Sequence, residues 1–282
     1  MKTMNSETTA EINFFGHTHD GSLPWMDSNP KLGWTASNYA HTPVRVTIHD
    51  LRHNETKFTL DKNGFEIMQY IGHVHDAFDN DSEMHRCYFD DIVKLLQQHL
   101  DASRVIIFNH INRFRGSPLS AEQCDANHKN PIFYPHVDNS PAAVRVKVEE
   151  LFGKEETKKI MQNRFQIINV WRPLGSNPIV NTPLTICDYQ TIDLNNDLRI
   201  SEVRNTMATT EIYMISHNSQ DTQKWYYLSQ MQSDEMFVFK IFDSNSTVAQ
   251  FGAHTAFSND SLPKSDVEQI SIELRCLVIY DQ

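Results

Sequence analysis

Glycine is scarce in this sequence, at 9 among 282 residues. Loops that cradle phosphate groups rely on glycine, and no GxGxxG, Walker or GxSxG pattern occurs. Dinucleotide, P-loop and serine-hydrolase chemistry therefore have no footing. Cysteine is also sparse. Cys87, Cys124, Cys187 and Cys276 stand far apart with no CxxC pair, the pattern of free thiols in a reducing cytosol. Basic side chains fall short as well, 25 Lys and Arg against 36 Asp and Glu, for a net charge of −11. Such a surface repels phosphate backbones, so nucleic acid is not an expected partner. One buried arginine can still bind a small anion locally. No run reaches the roughly 18 apolar residues of a membrane span. The first 15 residues have no long apolar stretch, so no secretory signal is expected. A cytoplasmic monomer or homodimer acting on a small molecule is the default.

What is present suits a globular body. Hydrophobic residues make up 39% of the chain, and 16 are phenylalanine. Residues 1–40, rich in Asn, Ser, Thr, Gly and Pro, read as an irregular arm. Residues 41–130 read as strands and helices. Val44 to Ile48 alternates as a strand, which Lys57 to Leu60 could pair with. Phe65 to Ile71 reads as a short helix. Asp90 to Leu100 is an amphipathic helix, and Arg104 to Phe108 a buried strand. Ser140 followed by Pro141 marks a helix start. That helix runs towards Met161, with an interruption at Gly153. From Phe165 onward short apolar segments recur: FQIINVW, PLTICDY, EIYMIS, KWYYLS, MFVFKIF and ISIELRCLVIY. Six or more successive short strands indicate an antiparallel sandwich or barrel. The Asn-rich stretch around Asn195 reads as a long loop.

The chain has 14 histidines, so position must sort ligands from structural groups. The sharpest pattern is Tyr134-Pro135-His136-Val137-Asp138. On an extended segment, residues two apart point to the same face. His136 and Asp138 can therefore share one cation. Two histidines and one carboxylate on one face of an octahedron bind iron(II) and leave three positions for a 2-oxo acid and dioxygen. The third ligand should lie on a later strand, and His254 fits. Arg275, a lone cation in an apolar strand, is the expected anchor for the distal carboxylate of the 2-oxo acid. The competing reading of Arg275 is an ion pair with Glu273. His17 and His19 lack the other motifs of a metallophosphoesterase. His73 and His75 read as a surface pair, and His110 and His217 as structural groups.

Several longer segments carry a family resemblance. They are Asn169-Val170-Trp171-Arg172-Pro173-Leu174, Pro183 to Asp188, Val46 to Arg52, Phe58 to Phe65, Trp225 to Tyr227, Phe239 to Ser244, His254 to Phe257 and Ser271 to Arg275. In this order they resemble the microbial hydroxylase/desaturase family, which includes aspergillic-acid hydroxylase-like and gibberellin desaturase-like proteins. The resemblance implies one mainly β oxygenase domain over residues 1–282 with flanking α-helices. Its core over 131–282 would be a double-stranded β-helix, that is, a cupin-like jelly roll. It implies an Fe(II)- and 2-oxoglutarate-dependent dioxygenase with His136, Asp138 and His254 as metal ligands. Arg275 would anchor 2-oxoglutarate, with Arg172 the runner-up. Trp225 and Tyr227 would line the substrate pocket or serve as core aromatics. The rival readings are an iron oxygenase of this fold that uses no 2-oxoglutarate, and a catalytically silent binding homologue. The arm and the Asn195 region match no pattern of the family, so substrate identity does not carry over.

Overall fold

A computed structural model of the chain describes residues 7–29, 33–52, 54–78, 82–115, 119–120, 123–124, 128–205, 209–259, 265 and 267–280. Four strands precede the first helix: β1 (Glu7–Thr18), β2 (Trp25–Asn29), β3 (Gly33–Ser37) and β4 (Tyr39–Asp50). The expected irregular arm is thus largely sheet, although residues 1–6 lie outside the described set. Along β1, Thr8, Ala10, Ile12 and Phe14 are buried while Glu7, Thr9 and Glu11 are exposed, the period of a half-buried strand. β1 pairs antiparallel with β4 from Glu7↔His49 to Thr18↔Tyr39.

A short helix, α1 (Leu60–Asn63), follows and ends at Gly64, with a φ of 81°. A Cβ on Gly64 would lie 2.2 Å from the carbonyl oxygen of Phe251, so only glycine fits this left-handed turn. Phe65 to Gln69 is strand β5 (Phe65–Gln69), not the expected helix. It pairs at a sheet edge, and Lys57 to Leu60 does not join β4. Helix α2 (Glu83–Leu100) begins earlier than expected, where Ser82 Oγ accepts from the His85 amide. Strand β6 (Arg104–Arg115) is 12 residues long and runs well past Phe108. After β7 (His128–Lys129) and β8 (His136–Val137), helix α3 (Pro141–Ile160) starts as expected. Ser140 Oγ accepts from the Ala143 amide, Pro141 opens the first turn, and Gly153 breaks the helix at φ 72°, ψ 169°. The rest is β: β9 (Phe165–Leu174), β10 (Leu184–Cys187), β11 (Leu198–Arg204), β12 (Thr209–Ile215), β13 (Trp225–Tyr227), β14 (Glu235–Asp243), β15 (His254–Ala256) and β16 (Gln269–Ile279). The Asn195 stretch is a short turn that delivers β11.

The strands form two sheets. One is ordered β1-β4-β13-β10-β15-β8-β12-β11-β2-β3 and the other β5-β14-β9-β16-β6-β7. From β6 onward the chain crosses repeatedly between them, which is the double-stranded β-helix. The fold is not confined to residues 131–282, because β5 and β6 lie in the second sheet and β1 and β4 extend the first. Phe14, Trp171, Ile186, Trp225, Phe237 and Leu277 fill the space between the sheets. On the outer face of the second sheet, α2 packs Tyr88, Ile92 and Leu96 against Ile168, Val170 and Leu274. Alternate residues of β9 and β16 therefore serve two different cores.

Candidate metal centre

His136 on β8 and His254 on β15 face each other directly across an antiparallel pair. Their ring centroids lie 4.5 Å apart. Short cross-strand distances on one face bring side chains together in this way. Each ring is oriented by its own backbone. His136 Nδ1 lies 2.9 Å from the Tyr134 carbonyl oxygen, and His254 Nδ1 lies 3.1 Å from that of Gly252. A carbonyl only accepts, so each Nδ1 carries a hydrogen, and Nε2 is the ring atom left to meet a metal. His136 Nε2 is buried and has no hydrogen-bond partner among the described residues. Burial, followed by the neighbouring His136, pulls the pKa of His254 down to about 3. A neutral imidazole is the form that binds a metal.

Asp138 stands just beyond β8. One ligand atom from each of His136, Asp138 and His254 falls within 4.8 Å of the others. Asp138 Oδ1 is 3.6 Å from His136 Nε2. Its other oxygen, Oδ2, accepts from Asn169 Nδ2 at 2.8 Å and pairs with Arg275 Nη2 at 3.1 Å. Burial alone would raise the carboxyl pKa, but Arg275, His136 and His254 hold it well below the usual range. The result is two buried imidazoles beside one carboxylate, the donor set suited to a ferrous ion.

The other residues picked out in the sequence are spread more widely. Arg275 also meets Glu273 Oε1 at 3.3 Å, the ion pair that was its competing reading. Asn109, Arg275 and Asn169 form one row across β6, β16 and β9. Arg172 is not in that row. It lies on the opposite face of β9, where it covers the rings of Tyr70 and Tyr88 at 4.0 and 4.6 Å. Its guanidinium donates to the carbonyls of Ser233 and Val74. Trp225 is fully buried against Phe14, and Tyr227 packs on Phe257. His17 and His19 lie at the exposed end of β1, and His73 is exposed.

Two cavities meet at the triad. His136 and His254 border a narrow interior one that also touches Trp171, Leu184, Arg113, Arg115 and Glu273. Asp138 and Arg275 border a cleft of about 500 Å³ between α3 and the β11–β12 hairpin. The sequence reading missed Arg113, Arg115 and the position of Asn169. Arg113 and Arg115 carry the signal that singled out Arg275, a cation on a strand, but that strand was read as ending at Phe108.

Comparison with known proteins agrees with this geometry. A family model described as "Oxidoreductase/YMDC permease-like domain" matches residues 12–279. The chain is similar to the Fe(II)/2-oxoglutarate-dependent dioxygenase nvfI of Aspergillus novofumigatus, with 31% identity over 88% of each chain. It is also similar to the hydroxylase/desaturase efuI of Hormonema carpetanum, with 29% identity over 96% of this chain and 94% of that one. Among solved structures, the iron and alpha-ketoglutarate-dependent endoperoxidase NvfI superposes with a TM-score of 0.80 at 28% identity. That match covers 98% of this chain and 99% of the other. The chain belongs to the Fe(II)/2-oxoglutarate-dependent dioxygenases, non-haem iron enzymes whose cosubstrates are 2-oxoglutarate and dioxygen.

Proposed function

We propose that His136, Asp138 and His254 hold the ferrous ion, and that this centre oxidises a C–H bond of a small organic molecule of secondary-metabolite biosynthesis. The observation carrying this reading is the convergence of three ligand atoms within 4.8 Å, together with a buried His136 Nε2 that has no hydrogen-bond partner among the described residues. An unpaired polar nitrogen is costly to bury, and a cation would offset that cost. Iron with its 2-oxo acid cosubstrate supplies the oxidising power for the substrate C–H bond. The chain's own residues bind and orient. Tyr134 and Gly252 fix the two imidazoles through their carbonyls. Asn169 and Arg275 tie down Asp138 Oδ2 and leave Oδ1 towards the histidines.

Arg113 and Arg115, on the wall of the narrow cavity beside His136 and His254, support placing the 2-oxo acid on that side, and the cleft bordered by Asp138 and Arg275 has the room for a substrate. Apolar Phe108, Val146 and Leu151 share that cleft with a larger set of polar groups that includes Asn139, Lys147 and Glu211, a lining suited to a guest with both apolar and oxygenated parts. The relatives' names, hydroxylase/desaturase and endoperoxidase, support oxidation of such a molecule. Trp225 and Tyr227 serve the core in this reading. The four free cysteines fit a reducing cytoplasm, and a monomer or homodimer is the assembly in this reading.

Anaerobic iron(II) titration of wild type, His136→Ala and Asp138→Ala tests the ligand set. Wild type should bind one equivalent and release succinate from 2-oxoglutarate when substrate is present. Both variants should keep their circular dichroism and lose both properties. Stoichiometric iron in either variant would refute the assignment.

A further inference from the structure

The cleft between α3 and the β11–β12 hairpin holds an uneven set of charges. Asp138, Glu150, Glu202 and Glu211 line it against Lys147 and Arg275, so its walls carry two negative charges in excess. Both cations are already engaged. Lys147 pairs with Glu150 one turn further along α3, and Arg275 with Asp138 at 3.1 Å and Glu273 at 3.3 Å. Glu202 is engaged too, because Arg204 donates to its Oε2 from Nε at 2.9 Å and from Nη2 at 2.7 Å.

Glu211 is the carboxylate left over. It lies directly opposite Glu202 across the β11–β12 pair, a position where like charges repel. No Lys, Arg or His comes within ion-pair distance of it among the described residues. Its Oε2 accepts from Ser140 Oγ at 2.8 Å, and its carbonyl accepts from the Ser140 amide at 2.9 Å. Those contacts serve the start of α3, where the helix dipole also favours a negative charge. They leave Oε1 unused, and it has no partner among the described residues. Glu211 is half-buried, and a carboxylate partly withdrawn from water without a cation is costly. Ser140 follows Asp138 by two residues, so Glu211 stands towards the metal end of the cleft.

We propose that Glu211 selects the molecule to be oxidised: it receives a hydrogen-bond-donating head group, a protonated amine above all, and turns carboxylates away. The proposal rests on the reading of this cleft as the substrate's place. A carboxylate accepts from N–H or O–H and offers nothing to another anion. The excess charge of the walls acts in the same direction, because a cleft lined by one sign concentrates guests of the other. Apolar Phe108, Val146 and Leu151 hold the body of the guest. The head group then fixes how that body lies, and with it which C–H bond faces the metal.

Probes that share one apolar cage and differ only in head group test this: adamantylammonium, adamantanol and adamantanecarboxylate. Each is titrated, by NMR observed on the probe, into the protein loaded with iron(II) and 2-oxoglutarate without oxygen. Wild type should bind them with affinity falling in that order. Glu211→Gln keeps an acceptor for Ser140 and removes the charge. It should lose roughly fivefold of the preference for adamantylammonium over adamantanecarboxylate. Val146→Trp fills the cleft and should weaken every probe. The proposal is overturned if wild type binds the carboxylate as tightly as the ammonium, a result that needs no variant to fold, or if Glu211→Gln leaves the preference unchanged. Probes indifferent to Val146→Trp would overturn the reading of the cleft, and the proposal with it. Binding in the expected order without paramagnetic broadening of the probe signals would uphold Glu211 and sink the metal-site reading instead.

Discussion

Arg275 reaches Asp138 through Oδ2, at 3.1 Å, and leaves Oδ1 facing His136 Nε2 at 3.6 Å. The pair therefore turns one carboxylate oxygen away from the proposed iron and points the other at it. Removing the guanidinium should loosen that orientation. Arg275→Gln is expected to weaken ferrous binding by roughly 10- to 100-fold, the usual effect of losing a group that orients a metal ligand. Anaerobic titration reads this directly, and an unchanged dissociation constant would remove Arg275 from the site.

Asn169 gives a sharper split between stability and function. It is fully buried, donates to Asp138 Oδ2, and leaves its own Oδ1 without a partner among the described residues. Asn169→Leu keeps the volume and removes that orphan acceptor along with one donor to Asp138 Oδ2, which Arg275 still holds, so the opposing effects should leave the melting temperature of the apo protein close to wild type. Iron affinity should still fall about tenfold. A fall in melting temperature with iron binding intact would show that Asn169 is only a packing residue.

Gly64 governs the approach to His254 from behind. Its α1-terminal turn backs onto Phe251, three residues before the histidine. Gly64→Ala combines a strained φ of 81° with a backbone collision, and should cost about 1–3 kcal/mol. Thermal denaturation checks the loss. Because the displaced segment carries His254, iron affinity should drop in the same variant.

Ser140 caps α3 two residues after Asp138, accepts from the Ala143 amide and donates to Glu211 Oε2 at 2.8 Å. Ser140→Ala should cost about 1 kcal/mol. Chemical denaturation measures it. A neutral result would mean that the Ser140 amide, which donates to the Glu211 carbonyl at 2.9 Å, holds the helix start alone.

Asp243 contributes to stability against acid. Burial would raise its carboxyl pKa, but Arg164, Lys240 and Gln166 hold it below its ordinary value. The folded pKa is thus lower than the unfolded value of about 3.9. The contribution is present above that pH and fades as the pH falls through the folded pKa. Asp243→Asn should destabilise the protein by about 3 kcal/mol at neutral pH by stripping a carboxylate from the buried Lys240. It should also flatten the stability profile below pH ~4. A variant whose acid transition matches wild type would assign that contribution to other carboxylates.

The chemistry was more legible in the sequence than the architecture around it. The two-residue spacing of His136 and Asp138 encodes a shared face directly, and Ser140, Pro141 and Gly153 mark the helix by local geometry. β1 was hidden because its buried alternate positions include Thr8 and Ala10, too small and polar to stand out as a hydrophobic period. Phe65–Gln69 is short enough for one apolar run to read as either helix or strand, and its pairing with β14 settles the matter. Arg172 and Arg275 look alike in sequence, as cations in apolar strands. Only the pleat decides which faces Asp138 and which faces Tyr88, and a one-residue difference in register reverses the answer.

Helix α3 begins three residues after Asp138, then presents Val146 and Leu151 along the cleft with 59% and 39% of their surface open. Those positions touch none of the three proposed ligands. A lineage could therefore exchange bulk along this helix and admit differently shaped molecules while the oxidising apparatus stays intact. Diversification of products in such a scaffold needs only tinkering at the doorway.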